Sequence, residues 1–311
     1  MKIVVVGGTG ALGAHAACYL KGKGHDITIA SRKAPPKNTL MATLPFLQGD
    51  YVRRDFTPDR LRGFDAVVFA AGNDMRHLPT SENAEELLIR ANVEGIPRFA
   101  RAAREAGVKR MVQIGSAYPQ ATPELVKDSP YLRSRHLACE GARAEGQAGF
   151  DVISVNPSFM VGGVPGLPSY FLDPYFEWAL GLVEAPLYAP TGGTNFMSYR
   201  SLSQAIEGAL LRGEPGKAYL VGDETLSVAD YLNLFFEAVG NPVRLEARDE
   251  EHPVFPSHTM VQGRGNWIRY EPDAEEAALL GYDRNDVANG VAEALAAFKT
   301  THVKGSLLTN G

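Results

Sequence analysis

Residues 1–13 read MKIVVVGGTGALG, and the fold turns on them. The β-branched run Ile3 to Val6 predicts a buried strand that stops at Gly7-Gly8. Thr9-Gly10 then opens a helix whose first turns are Ala11 to Leu20. The spacing Gly7-x-x-Gly10-x-x-Gly13 gives each glycine a physical task. Gly7 permits the tight turn, Gly10 lets the backbone approach a pyrophosphate, and Gly13 lets helix and strand pack closely. The first-turn N–H groups and the positive end of the helix dipole then face an anion. A strand, this spacing and a helix in succession point to dinucleotide binding.

Outward from this stretch, strands are predicted at Asp26 to Ala30, Phe46 to Gln48, Asp65 to Ala70, Arg110 to Ile114 and Asp151 to Val155. Helical patterns lie between them, the longest at 81–106 and 131–146. Such alternation predicts an α/β fold, a doubly wound parallel sheet of the Rossmann kind. Residues 1–155 make the nucleotide-binding domain, with 196–225 returning to it. Residues 156–195 and 226–311 make a smaller C-terminal substrate-binding cap. From Phe159 to Asn195, glycine and proline alternate with Phe159, Tyr170, Phe171, Tyr175, Phe176, Trp178 and Tyr188. Most of these rings are expected in the cap's own core; any that line a pocket favour a partly apolar or flat substrate. Helices at 200–212, 228–239 (capped by Ser227) and 284–298, a strand at 217–221 and an extended piece at 242–247 complete the reading.

The end of the second strand bears on the cofactor. NAD sites usually place a carboxylate about twenty residues past the glycines, on the ribose 2′-OH. Ser31 holds that place, followed by Arg32 and Lys33, while Asp26 lies at the wrong end of its strand. Arg32 can clamp a 2′-phosphate through its planar fork and Lys33 adds a second charge, which favours NADP over NAD. Asp50, after Gly49, suits either an adenine amino group or a turn. Ala70, Ala71 and Gly72 are small enough for a ligand to lie against. The loop after them carries Asp74, Arg76 and His77, whose spacing matches no metal motif, so no metal is assigned. Asn92 shares a helical stripe with Leu88, Ile96, Phe99 and Ala103; a buried amide there needs a partner, in the fold or in the site. Pro97 is expected to kink this helix.

Composition sets outer limits. A formal net charge of −5 offers no electrostatic case for nucleic acid or an anionic membrane. No apolar run approaches the roughly 20 residues that span a bilayer, and glycines interrupt the first strand before a signal-peptide core could form. Cys18 and Cys139 imply neither a disulfide framework nor a metal cluster. Cytoplasmic is the default expectation, and the helices at Ser81 and Tyr131 could pair across a homodimer.

With these pieces placed, the chain resembles the extended short-chain dehydrogenases/reductases, the NAD-dependent epimerase/dehydratase group. GGTGALG (7–13) is similar to its glycine motif, which carries Thr9, Ala11 and Leu12 with the glycines into the cofactor site. Gly49-Asp50, with Tyr51 after it, resembles the adenine contact. NVEGIPRFARAAREAGVKRMVQIGSA (92–117) resembles the pattern N-x-x-G, a helix, and a strand ending at the catalytic serine, here Ser116. VNPSFMVGG (155–163) resembles the nicotinamide-side segment with Pro157, Ser158 and Phe159, and YLVGDETLSVADYLNLFFEAVG (219–240) the C-terminal signature.

The resemblance implies a Tyr-x-x-x-Lys pair, with tyrosine as acid/base and Ser116 positioning the reacting oxygen. This chain has Tyr131-Leu132-Arg133-Ser134-Arg135, so Arg135 stands where lysine is the family's choice. Arginine keeps the charge and can donate to ribose, but does not readily shuttle a proton. Asn156 and MSYRS (197–201) depart from the arginine and the His-Val-x-Asp stretch common in sugar-nucleotide enzymes. The implied function is NADP-dependent oxidation or reduction of a small, partly apolar carbonyl or alcohol. The alternatives are a non-catalytic NADP(H)-binding sensor or assembly factor, and a sugar-nucleotide epimerase or dehydratase.

Overall fold

In the computed structural model the run Ile3–Val6 is almost wholly shielded from solvent, within strand β1 (Lys2–Val6). A strand that is β-branched on both faces must be covered on both, which is the condition of a central parallel strand. The structure describes residues 1–72 and 84–302, so Asp74, Arg76, His77 and Ser81 lie outside the described residues. The described chain forms two units, Met1–Pro157 with Leu202–Val221 and Pro272–Tyr282, and Ser158–Ser201 with Gly222–Glu271 and the chain from Asp283.

In the first unit β1 is followed by α1 (Ala11–Gly22), β2 (Asp26–Ser31), β3 (Phe46–Gln48), the single turn α2 (Pro58–Leu61) and β4 (Ala66–Phe69). Then come α3 (Ala84–Leu88), a π-helical turn at Ile89–Gly95, α4 (Ile96–Glu105), β5 (Arg110–Ile114), α5 (Tyr118–Ala121), α6 (Pro130–Ala144) and β6 (Asp151–Asn156). With β10 (Ala218–Leu220) the strands make one seven-stranded sheet in the order β10-β6-β5-β4-β1-β2-β3, every pair parallel. This is the doubly wound sheet that the alternation implied. Its strand order reverses between β1 and β4, and ligands of such sheets bind at the strands' carboxyl ends beside that reversal.

The second long helix differs from its sequence pattern. The stripe Leu88, Ile96, Phe99 and Ala103 is buried as expected, but the helix passes through the π turn before Pro97. Proline has no N–H to close a regular turn, and a π turn accommodates the break without ending the helix. Opposite it, Gly141 of α6 lets the Pro97 ring approach: a Cβ there would lie 2.7 Å from Pro97 Cγ. Ser129 caps α6 by accepting from Leu132 N at 3.3 Å, and Pro130 occupies its first turn.

The second unit contains β7 (Phe159–Val161), α7 (Asp173–Ala179), β8 (Tyr188–Pro190), β9 (Gly193–Ser198), β11 (Glu224–Ser227), α9 (Val228–Ala238), β12 (Glu246–Arg248) and α11 (Val287–His302). Between the units' residue sets run α8 (Tyr199–Arg212) and, within the first, α10 (Ala274–Leu280). β9 pairs β7 in parallel and β11 in antiparallel, so residues 193–198 belong to the second unit's sheet. The sequence reading returned 196–225 to the first domain; the strand pairing takes both ends of that stretch into the second unit, and the first gains Pro272–Tyr282.

The aromatic run makes this unit's core. Tyr175, Phe176, Trp178 and Tyr188 are buried, and Phe159 packs its ring against Phe171, Phe196 and Tyr231 at 5.2, 5.2 and 5.8 Å. Tyr170 is the exception, at 93% exposed. Ser227 caps α9, its hydroxyl accepting from Asp230 N at 2.9 Å. The signature's Asp223 is buried: its carboxylate accepts from the backbone N–H groups of Asn285 and Asp286 and thereby fixes the start of α11. Burial raises Asp223 above the ordinary carboxylate value despite these bonds. Burial pulls Asp286 the same way, but hydrogen bonds from Arg200, Ser198 and Asn289 outweigh it and hold that carboxyl below its ordinary value.

Candidate active site

The glycine turn has the geometry that its spacing demands. Gly7 sits at φ +83°, and a Cβ on it would come within 2.8–3.0 Å of the Ala70–Ala71 backbone. A Cβ on Gly13 would lie 2.3 Å from Gly7 O and 3.2 Å from Ala70 Cβ. Gly10 differs: its Cβ would meet Gly7 O at 3.4 Å, an ordinary contact. Gly10 is the N-cap of α1 and supplies no side-chain cap. The first-turn N–H groups of Ala11, Leu12 and Gly13 therefore have no intrahelical acceptor. An uncapped helix start flanked by the close-packed Gly7 and Gly13, with room at Gly10, fits a dinucleotide pyrophosphate. Thr9 Oγ1 donates to Ser31 Oγ at 2.7 Å, tying the glycine turn to the end of β2. Arg32 and Lys33 follow there, both exposed.

Asp50 is seen in its turn role. Its Oδ1 accepts from Val52 N at 2.9 Å, and Arg53 Nε stands 3.9 Å from Oδ2. Tyr51 points inward, edge-on to Phe69 at 5.2 Å, and a Cβ on Gly95 would lie 2.9 Å from its ring. The glycine of N-x-x-G thus makes room for Tyr51, a role that spacing alone did not reveal. The Tyr51 hydroxyl is buried without a hydrogen-bond partner. Burial pushes its pKa up to about 12; the Arg135 charge draws it down, Asp50 pushes it up, and Arg32 draws it down more weakly. The neutral phenol is therefore the form the fold favours. Stability is expected to decline as pH rises from about 10, the ordinary tyrosine value, toward 12. Alkaline unfolding followed by circular dichroism should show this decline and Tyr51→Phe should reduce it; an unchanged profile would contradict it.

From α6, Arg135 reaches the chain just beyond the carboxyl ends of β4 and β5. Arg135 Nη2 donates to the carbonyls of Ile114 at 2.9 Å and Gly115 at 2.7 Å, the two residues before Ser116. A Cβ on Gly72 would lie 2.7 Å from Arg135 Nη1, so this glycine leaves space for the guanidinium. Arg135 Nε is buried and has no acceptor. Asn92, fully buried in the π turn, donates to Ser134 Oγ at 3.2 Å, and Ser134 donates to Tyr131 O at 2.8 Å. Asn92 therefore holds the turn of α6 that bears Tyr131. Ser116 is buried, while Tyr131 and Arg135 are half-buried.

Asn156 accounts for Gly115: a Cβ there would fall 1.8 Å from Asn156 Oδ1. Asn156 donates to Gln120 Oε1 and lies 3.6 Å from Cys139 Sγ, to which Arg143 Nη1 donates at 2.7 Å. Arg143 also reaches Ser154, and Ser154 donates to Gln113. The sequence shows little of this network, because it joins four separate elements, β5, α5, α6 and β6. Pro157 ends the first unit, accepting from Ala117 N at 2.9 Å. Ser158 and Phe159 begin the second, Ser158 with a buried hydroxyl that has no partner.

A family model described as the NAD dependent epimerase/dehydratase family matches residues 3–172, more than half of the chain. The chain belongs to this family. Among curated relatives, the sterol demethylase protein B of Methylococcus capsulatus is 27% identical over 255 residues, 78% of this chain and 76% of that protein. The 4-hydroxy-2-methyl-3-oxo-4-farnesyl-3,4-dihydroquinoline-1-oxide ketoreductase of Stigmatella aurantiaca is 26% identical over 303 residues, 90% and 84% of the two chains. Among solved structures, UDP-N-acetylglucosamine 4-epimerase from Bacillus cereus superposes with a TM-score of 0.73 at 17% identity, covering 99% of each chain. The family match places the chain in a family of NAD(P)-dependent oxidoreductases and epimerases. Among the described residues no helix is long and apolar enough to cross a membrane, and no group of three or more His, Cys, Asp or Glu is placed to hold a metal.

Proposed function

We propose that this family member is an NADP-dependent oxidoreductase acting on a small, partly apolar carbonyl or alcohol, with Tyr131 as acid/base. The observation that carries the reading is the junction at the end of β5. Arg135, one helical turn beyond Tyr131, is bonded to the two carbonyls that precede Ser116. The guanidinium is thus fixed on the backbone that leads into Ser116, from the same helix that carries Tyr131. The ketoreductase among the relatives supports carbonyl chemistry.

Gly7, Thr9, Gly10, Ala11, Leu12 and Gly13 would hold the pyrophosphate, and Arg32 and Lys33 the 2′-phosphate. Asp50 and Tyr51 would lie toward the adenine. Ala70, Ala71, Gly72 and Asn92 would lie along the cofactor, and Pro157, Ser158 and Phe159 toward its nicotinamide. When bound, NADPH supplies hydride from its nicotinamide C4. Tyr131 gives its phenolic proton to the carbonyl oxygen, or takes it back in the alcohol direction, while Ser116 orients that oxygen. The Arg135 charge favours the phenolate left behind, and its unpartnered Nε is a donor for a ribose hydroxyl.

NADPH and NADH oxidation against a panel of ketones and aldehydes tests the reading. NADPH-dependent turnover is expected. Arg32→Ala should raise KM for NADPH by about tenfold, the worth of one charge-assisted hydrogen bond, and leave KM for NADH unchanged. Equal effects on both cofactors would overturn the 2′-phosphate role. A second reading, a non-catalytic NADP(H)-binding protein, is favoured by the same Arg135 bonds, since an arginine fixed on carbonyls is a structural strap as well as a charge.

A further inference from the structure

One arginine ties together the two loops that would hold the adenosine half of the dinucleotide. Arg60 lies in the turn α2, and its guanidinium reaches back to the chain after β3. Its Nη2 donates to Gln48 O at 2.5 Å and its Nη1 to Asp55 O at 2.7 Å. The group also lies over the Phe56 ring, 5.6 Å from the centroid. The two carbonyls are the ends of the loop that carries Asp50 and Tyr51. Inside that loop Asp55 Oδ2 accepts from Asp50 N at 2.8 Å, and Asp50 Oδ1 accepts from Val52 N at 2.9 Å. Arg54 sits there at φ +65°, a left-handed conformation that a side chain resists, so the turn needs fixing from outside. Gly49 leaves the room for it: a Cβ there would lie 2.8 Å from Phe56 Cζ and 3.3 Å from Arg60 Nη1.

The tie extends to β2. Gln48 pairs with Ser31, Gly49 N donates to Ser31 O at 3.0 Å, and the Gln48 side-chain amide donates to Arg32 O at 3.2 Å. A chain of bonds thus runs from Arg60 through Gln48 to the residue proposed for the 2′-phosphate. Bonds from a guanidinium are of the stronger, charge-assisted kind, and lysine does not reproduce the fork that bridges two carbonyls. We propose that Arg60 is a positioning residue for the cofactor: through Gln48 it sets Arg32, and through Asp55 it sets the turn that carries Asp50. The proposal rests on the dinucleotide reading, and on NADP preference only for the part that concerns Arg32. It gives the two links separate effects. Loss of the Arg60 fork loosens both loops, and loss of the Gln48 amide loosens Arg32 alone.

Equilibrium binding to the full chain tests this without turnover, with NADPH and NADH followed by nicotinamide fluorescence and ADP by displacement of NADPH. Arg60→Lys and Arg60→Met should each weaken NADPH, NADH and ADP by about tenfold. Gln48→Ala should weaken NADPH about fivefold and leave NADH and ADP unchanged, a shift in ratio that a merely structural role does not produce. Arg62→Met, which removes an exposed ion pair with Asp59 beside the same turn, is the control and should bind all three as the parent does. Circular dichroism should be unchanged throughout. Parent-like binding in Arg60→Met would overturn the proposal, and parent-like binding in Arg60→Lys would overturn it in favour of a simple charge effect. Equal losses of NADPH and NADH in Gln48→Ala would overturn the link to Arg32. Failure of the cofactor reading looks different. An unmodified chain that binds NADPH no more tightly than NADH would overturn the 2′-phosphate role and the Gln48 link with it, while ADP binding by the Arg60 variants would still decide the role of Arg60. An unmodified chain that binds none of the three would overturn both.

Discussion

Tyr131→Phe is expected to lower kcat for NADPH-dependent carbonyl reduction by about a thousandfold, within the range of general acid catalysis. Its effect on NADPH affinity should be small, because the change removes one oxygen. α6 should be undisturbed: its cap at Ser129, its Pro97–Gly141 packing and the Asn92–Ser134 tie to the Tyr131 carbonyl involve no phenolic oxygen. A fall in kcat with Kd for NADPH and thermal midpoint unchanged is the expected pattern. Retained turnover would remove Tyr131 from the chemistry.

The glycine turn gives the second large effect, because its geometry separates two roles that spacing alone treats alike. Gly13→Ala places a methyl 2.3 Å from Gly7 O, and neither backbone can yield without moving the other. Overpacking of this kind costs about 2 kcal/mol, and both the thermal midpoint and NADPH binding should fall, the latter about thirtyfold. Gly10→Ala meets the protein only at 3.4 Å, so its stability should be close to that of the parent. Its NADPH affinity should still fall by at least tenfold, since the added methyl stands where a pyrophosphate must approach the helix start. Gly24→Ala is the control: its Cβ meets nothing, and its cost of about 1 kcal/mol comes from φ +85° alone. NADPH affinity unchanged in Gly10→Ala would contradict the placement of the pyrophosphate.

These contrasts show what the sequence could and could not disclose. The central strands were legible because parallel strands are buried on both faces and read as unbroken apolar runs, as Ile3–Val6 does. Phe46–Gln48 and Arg110–Ile114 were predicted residue for residue, each bounded by turn or charged residues. The boundary between the units was less legible. Residues 193–198 join β7 and β11 in a sheet whose pairing spans 69 residues, from Phe159 to Ser227, and no local pattern records that partnership. Within the site, Asn92 was visible as a polar residue on an apolar stripe, but its partner Ser134 lies 42 residues away. The link from Arg135 to the Ile114 and Gly115 carbonyls was hidden for a different reason. It depends on the reach of a guanidinium where the resemblance led one to expect an ammonium, and on a glycine at 72 that leaves the space.

The Arg135 substitution also sets apart the two readings of the site, a catalytic one and a purely binding one. The most direct measurement is the fate of label from NADPH deuterated at the transferable C4 position, with a turned-over ketone or aldehyde as acceptor. The account predicts one deuterium at the carbinol carbon of the alcohol product, formed by the unmodified chain and not by Tyr131→Phe. Tight NADPH binding with no label transferred to any acceptor would contradict it, and would make the chain an NADP(H)-binding protein whose Arg135 serves as a strap.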